Sequence, residues 1–114
     1  MADKVVYINL EEGVKRVMNN LKLYVKLLVK FRDGTNLEDL DTALATEDWE
    51  KAQNIAHTIK GVAANLSFSE LFNQSLELEN QIKAKSVKPG QFEILKEVFT
   101  HTMQEVEKVI AENG

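Results

Sequence analysis

The chain has 114 residues, 44% of them hydrophobic and 28% charged, with no cysteine and a formal charge of −4. Its length corresponds to one domain, expected over 1–114, with enough apolar side chains to bury a single core. The lack of cysteine excludes a disulfide framework and a thiolate metal site, and an acidic balance with dispersed Lys and Arg excludes a nucleic-acid backbone as partner. The run MADKVVYINLEEG lacks the apolar stretch of a secretory leader, and no segment approaches the roughly 20 apolar residues of a membrane span. A cytoplasmic setting without membrane insertion is expected.

Apolar residues recur at spacings of three and four along most of the chain, the period of an amphipathic helix. They predict a first long helix after Asn9, with Glu12 placed for a capping box, that runs through Val14, Val17, Leu21, Tyr24, Val25, Leu28 and Phe31 and ends at Asp33 and Gly34. A short helix from Asn36 carries Leu37, Leu40 and Leu44. Thr46, Glu47 and Asp48 then open a helix over 49–66 with negative charge at its start. Ser67, Phe68, Ser69 and Glu70 read as a capping box for a fourth long segment to Lys85, with Leu71, Leu78 and Ile82 inward. Pro89 fits a first helical position after the break at Lys88 to Gly90. The last helix turns Phe92, Leu95, Val98, Phe99, Met103, Val106 and Ile110 to the core, and its final residues, AENG, are expected to fray. Together these segments predict an all-α fold, an antiparallel four-helix bundle with an additional short helix. One apolar face per helix suits a monomer.

The segment over 49–66, WEKAQNIAHTIKGVAANL, carries the candidate chemistry. At about 100° per residue, Ile55, Ile59, Val62 and Leu66 cluster on one side with Ala52 and Ala63 beside them, and His57 points the other way. Around the imidazole the same arithmetic puts Glu50, Gln53, Asn54, Lys60, Gly61 and Ala64. Lys60 reads as a solvated cation close to the ring and remote from the core. A glycine within a helix costs about 1 kcal/mol against alanine, so Gly61 calls for close approach of another surface. An exposed histidine with an adjacent lysine and no second titrating partner suits reversible phosphorylation, because a neutral imidazole is a nucleophile near pH 7.

The run His57, Thr58, Ile59, Lys60, Gly61 resembles the H-x-[LI]-K-G signature of histidine-containing phosphotransfer (HPt) domains. The resemblance extends over nearly the whole chain. YVKLLVKF at 24–31 is similar to the family's Y-x-x-x-L-x-x-F run, EDWEKAQNIAHTIKGVAANL at 47–66 resembles its acidic-Trp opening and histidine helix, and Leu71 with LEN at 78–80 resembles its L-x-x-x-x-x-x-LE pattern. Ser67 stands where the family commonly has glycine. The resemblance implies a phosphoryl carrier rather than an enzyme: His57 accepts the group from an aspartyl phosphate of a response-regulator receiver domain and passes it to another. It also implies that the receiver supplies the Asp and a bound Mg²⁺, so that the chain needs no cofactor of its own, and that Lys60 gives electrostatic support. Gln53, Asn54, Gly61 and Ala64 would border the docked partner, a receiver domain or a hybrid sensor histidine kinase. Phe72 and Leu76 turn away from the Leu71, Leu78 and Ile82 stripe and are candidates for the same partner-facing surface, with core packing as the alternative.

Two other readings compete. A kinase could phosphorylate His57 directly, or the chain could bind a receiver or kinase without chemistry. Glu97 and His101, four residues apart, form a possible two-ligand metal pair, but no second pair completes a site and none is expected. Trp49 borders the apolar stripe and reads as a packing residue.

Overall fold

The computed structural model describes residues 6–113, which form helices joined by short turns and no strands. In chain order the helices are α1 (Leu10–Arg16), α2 (Leu21–Gly34), α3 (Glu38–Ala45), α4 (Trp49–Leu66), α5 (Ser69–Lys83) and α6 (Gln91–Asn113). The antiparallel bundle is built from α2, α4, α5 and α6, with α5 packed between α4 and α6, and α2 against α6. Its core is filled by Tyr24 and Leu28 from α2, Leu71, Leu78 and Ile82 from α5, and Leu95 and Val106 from α6, all at most 1% exposed. Phe68, in the tight α4–α5 turn, presents an edge to Phe31 at 4.9 Å. No described helix is long and apolar enough to cross a membrane.

The predicted first helix is two helices. Its apolar period runs unbroken through the sequence, but Met18 and Asn19 adopt left-handed backbone angles (φ 60° and 61°) and the chain turns. Asn20 then starts α2, its side chain accepting from the Leu23 amide at 3.0 Å. Asparagine both tolerates the left-handed region and caps helix starts, so the Asn19–Asn20 pair overrides the pattern. The bundle therefore carries two short helices, α1 and α3.

Helix α1 hooks onto the far end of α4. Asn9 accepts from the Glu12 amide at 3.2 Å, as a cap should, but the Glu12 carboxylate accepts from the Ser67 hydroxyl at 2.8 Å, and the Asn9 amide donates to the Ser67 carbonyl at 2.9 Å. Ser67 thus does not open α5. It closes α4 in a left-handed conformation, φ 60° and ψ 41°, and Phe68 takes the N-cap position of α5 without a side-chain bond. The predicted capping box is corrected accordingly. A non-glycine residue is strained at this angle, and the bonds to Asn9 and Glu12 hold it there. Tyr24 reinforces the same corner: its buried hydroxyl, whose pKa burial raises, donates to the Leu66 carbonyl at 2.6 Å. That carbonyl is one of the four a helix end leaves without an internal donor.

At the other end of the bundle Pro89 lies in the turn before α6 rather than in its first position, and Gly90 supplies a φ of 83°. Helix α6 holds its form to Asn113, whose side-chain amide donates to the Val109 carbonyl at 2.9 Å, so Ala111 to Asn113 stay helical and Gly114 lies outside the described residues.

Gly13 is buried face to face with Tyr24, and a Cβ placed on it would sit 2.5 Å from the ring. Gly13→Ala should therefore displace the ring and destabilise the fold by about 1–3 kcal/mol, the usual range for overpacking. Urea denaturation checks this, and an unchanged midpoint would mean that α1 can shift off Tyr24 without loss.

Candidate functional site

Helix α4 presents to the interior not the large aliphatic stripe but a seam of small residues. Ala52, Ala56 and Ala63 are fully buried with Ile59 and Leu66, whereas Ile55 and Val62 are only partly covered. At about 100° per residue the centre of this seam is displaced from Ile55 and Val62 toward the edge that carries Lys60. Alanines there, and the fully buried Ser75 on α5, let the two backbones come close. The approach brings α5 alongside His57.

It also brings a carboxylate that was not expected. Glu79 of α5 is 2% exposed, and its Oε2 lies 3.2 Å from His57 Nδ1 while its Oε1 lies 2.7 Å from Lys60 Nζ. Lys83, one turn further along α5, places Nζ 3.8 Å from Oε2. His57 thus has a titrating partner, and the reading of a histidine without one is corrected. So is the reading of Lys60 as a free surface cation: its side chain is only 21% exposed. Burial pushes the Glu79 carboxyl upward, but the Lys60 ammonium, the His57 ring and the Lys83 charge together outweigh it and hold the group below the usual carboxylate range. An ionised carboxylate has only acceptors, so the ring nitrogen facing it carries the proton. In the neutral ring, Nδ1–H then donates to Glu79 and the lone pair is left on Nε2. The His57 side chain remains 67% exposed.

A signal for Glu79 was present. On α5 it falls about 60° from Ile82 and about 100° from Leu78, within the apolar face, and a carboxylate is seldom buried unless paired.

The model of the Hpt domain family matches residues 33–111, from the end of α2 nearly to the end of α6. The chain belongs to the Hpt domain family. Hpt domains are phosphotransfer modules of two-component signalling; they carry phosphoryl groups rather than catalyse reactions, and they interact with receiver domains and kinases. Comparison with curated proteins and with solved structures gives no match.

Around His57 of this Hpt domain the remaining candidates separate by position. Gln53 and Ala64 are half-buried on the edge of α4 nearest α5, and Asn54 and Gly61 are exposed. Apart from its own helix backbone and chain neighbours, no atom of the described residues lies within 4 Å of a Cβ placed on Gly61, so no crossing of the described helices requires this glycine. Leu76 is 37% exposed. Phe72 is half-buried against the core and also walls a cleft of about 290 Å³ with Ala64 and Asn73, so packing takes most of its ring. Trp49 packs against the core as well. His101 is far from this cluster in sequence and stacks on Tyr7 with ring centres 5.1 Å apart. Among the described residues no group of three or more His, Asp or Glu is arranged to hold a metal ion.

The network ties stability to pH. Because the folded Glu79 carboxyl titrates below its unfolded value, its stabilising contribution is complete above about pH 4.3 and is lost as pH falls through the folded value. The stability difference between wild type and Glu79→Gln should therefore shrink as pH is lowered from neutral into that range. Lys60→Ala should cost about 1–3 kcal/mol at pH 7 by removing the closest partner of a buried acceptor, and Glu79→Gln should relieve part of the cost. Urea melts across pH check both. A stability unmoved by Lys60→Ala at neutral pH would mean that water replaces the ammonium.

Proposed function

We propose that His57 carries a phosphoryl group on Nε2 as an intermediate of a two-component phosphorelay, accepting it from the aspartyl phosphate of one receiver domain and yielding it to another. The observation that supports this most is the pairing of an exposed ring with a buried carboxylate on its Nδ1, which fixes the tautomer and leaves Nε2 as nucleophile. In the forward step the Nε2 lone pair forms the N–P bond as the aspartyl O–P bond breaks, and that bond's electron pair leaves with the carboxylate. The ring keeps its Nδ1 proton and becomes cationic. Glu79 faces that charge at 3.2 Å, and the return transfer reverses each change. Electrostatic groups set in place before charge develops are the main means by which such a site lowers a barrier.

Lys60 supports the phosphoryl oxygens in this reading, and by leaving Oε1 of Glu79 for them it would exchange one anion for another. Gly61, Ala64, Gln53, Asn54 and Leu76 form the surface on which the partner docks, with Phe72 at its edge. The receiver brings the aspartate and a Mg²⁺ of its own. A kinase acting directly on His57 would use the same nitrogen and the same tautomer.

Wild type incubated with a receiver domain charged by radiolabelled acetyl phosphate should acquire an acid-labile, base-stable label. His57→Gln should acquire none, and His101→Gln should label as wild type; label retained by the first variant would place the acceptor elsewhere. Gly61→Ala tests the docking surface. With open space at the Cβ, it should leave the fold as stable or up to about 1 kcal/mol more so, while transfer slows in a rapid-quench time course. Transfer at the wild-type rate would show that the receiver does not approach Gly61 closely.

A further inference from the structure

A second site lies on the opposite flank of α4. The bundle is least closed between α2 and α4, which meet over a short stretch only, and their divergence leaves a groove of about 560 Å³. Buried Phe31 and Leu66 form its floor, half-buried Leu27 and Val62 its walls, and Arg16 and Lys30 stand at the rim. Among the described residues no carboxylate lines it, in a chain of formal charge −4. The four other cavities described each have at least one Asp or Glu on the wall. Lys30 is in no ion pair among the described residues. Arg16 lies 3.8 Å from Glu12, whose carboxylate is already engaged by the Ser67 hydroxyl at 2.8 Å. Apolar walls under two available cations complement one kind of molecule.

We infer that this groove binds a small amphipathic carboxylate, its chain against Leu27, Phe31, Val62 and Leu66 and its head group on Arg16 and Lys30. The volume falls within the range of about 300–1,000 Å³ of small-molecule sites. The extent of the groove argues against a helical peptide as occupant: Leu27 to Gly34 on α2 span about 10.5 Å at 1.5 Å per residue, about two turns. On α4 the groove residues Val62 and Leu66 lie more than about 120° around the helix from His57, so occupancy leaves the histidine accessible. The site does not depend on the phosphoryl-carrier reading.

Calorimetric titration of the full chain with decanoate tests the inference. Saturable binding of one decanoate per chain is expected, weakened at least about tenfold in Arg16→Glu and in Lys30→Glu, since a charge-assisted contact is replaced by repulsion. Both positions are exposed, so circular dichroism melts of the two variants should match wild type; Lys30→Gln supplies a milder variant with a smaller expected loss. Decyltrimethylammonium, with the same chain and opposite head group, should show no saturable binding. Decanoate binding that is absent or non-saturable, undiminished in both charge reversals, or matched by the ammonium overturns the inference. So does a dimer in sedimentation equilibrium that Lys30→Glu dissociates, which would give the groove to a second copy. His57→Gln should bind decanoate as wild type does, whatever the outcome of the labelling experiment.

Discussion

The arrangement around His57 depends on one buried carboxylate. Removing Glu79 from water is costly, and in general a buried ion pair contributes little net stability against an apolar replacement. What distinguishes this one is where its ligands come from. Lys60 and His57 both reach it from α4, one turn apart, and Lys83 reaches it from α5. A carboxylate that must be neutralised from a neighbouring helix fixes the axial register of the two helices, because a shift by one residue, about 1.5 Å, would break a contact of 2.7 Å. Orientation of the ring and register of α4 on α5 are therefore set by the same atom group.

That register requires small side chains. Ala52, Ala56 and Ala63 on α4 and Ser75 on α5 are fully buried, and each contributes less apolar area than a leucine would. The larger residues that supply most of the burial, among them Tyr24, Leu28, Phe68 and Leu95, lie toward α2, α6 and the α4–α5 turn. The helix that carries the candidate chemistry is thus positioned by close backbone approach and polar contacts, and the rest of the bundle supplies the hydrophobic stabilisation that allows it.

Helix positions were legible in the sequence because the apolar period, Asp48 before α4 and the break at Lys88 to Gly90 are local signals. His57, Lys60 and Gly61 were legible because their spacing on one helix fixes their mutual placement whatever the tertiary structure. The burial of Glu79 on the apolar face of α5 was legible but its partner was not, since that depends on which residue of α4 it faces, a relation between positions 22 apart that no helical period encodes. The same holds for Ser67: read locally with Glu70 it makes a capping box, and only the arrival of α1 from 55 residues away gives its hydroxyl a better acceptor. The break between α1 and α2 was missed for the opposite reason. A local signal, Asn19 with Asn20, was present and was outweighed by a periodic pattern that continued across it.

Gly13 and Gly61 give the clearest separation of internal from external constraint. Both sit within helices, where glycine costs about 1 kcal/mol relative to alanine. At Gly13 the reason is inside the molecule, a tyrosine ring 2.5 Å from where a Cβ would stand. At Gly61 no such neighbour exists among the described residues, the backbone is helical and needs no unusual angle, and the residue is exposed one turn from His57. Within the described residues the fold therefore places no demand on Gly61 that alanine would fail to meet. That is compatible with the proposed docking surface, in which Gly61 would let a receiver come close one turn from His57.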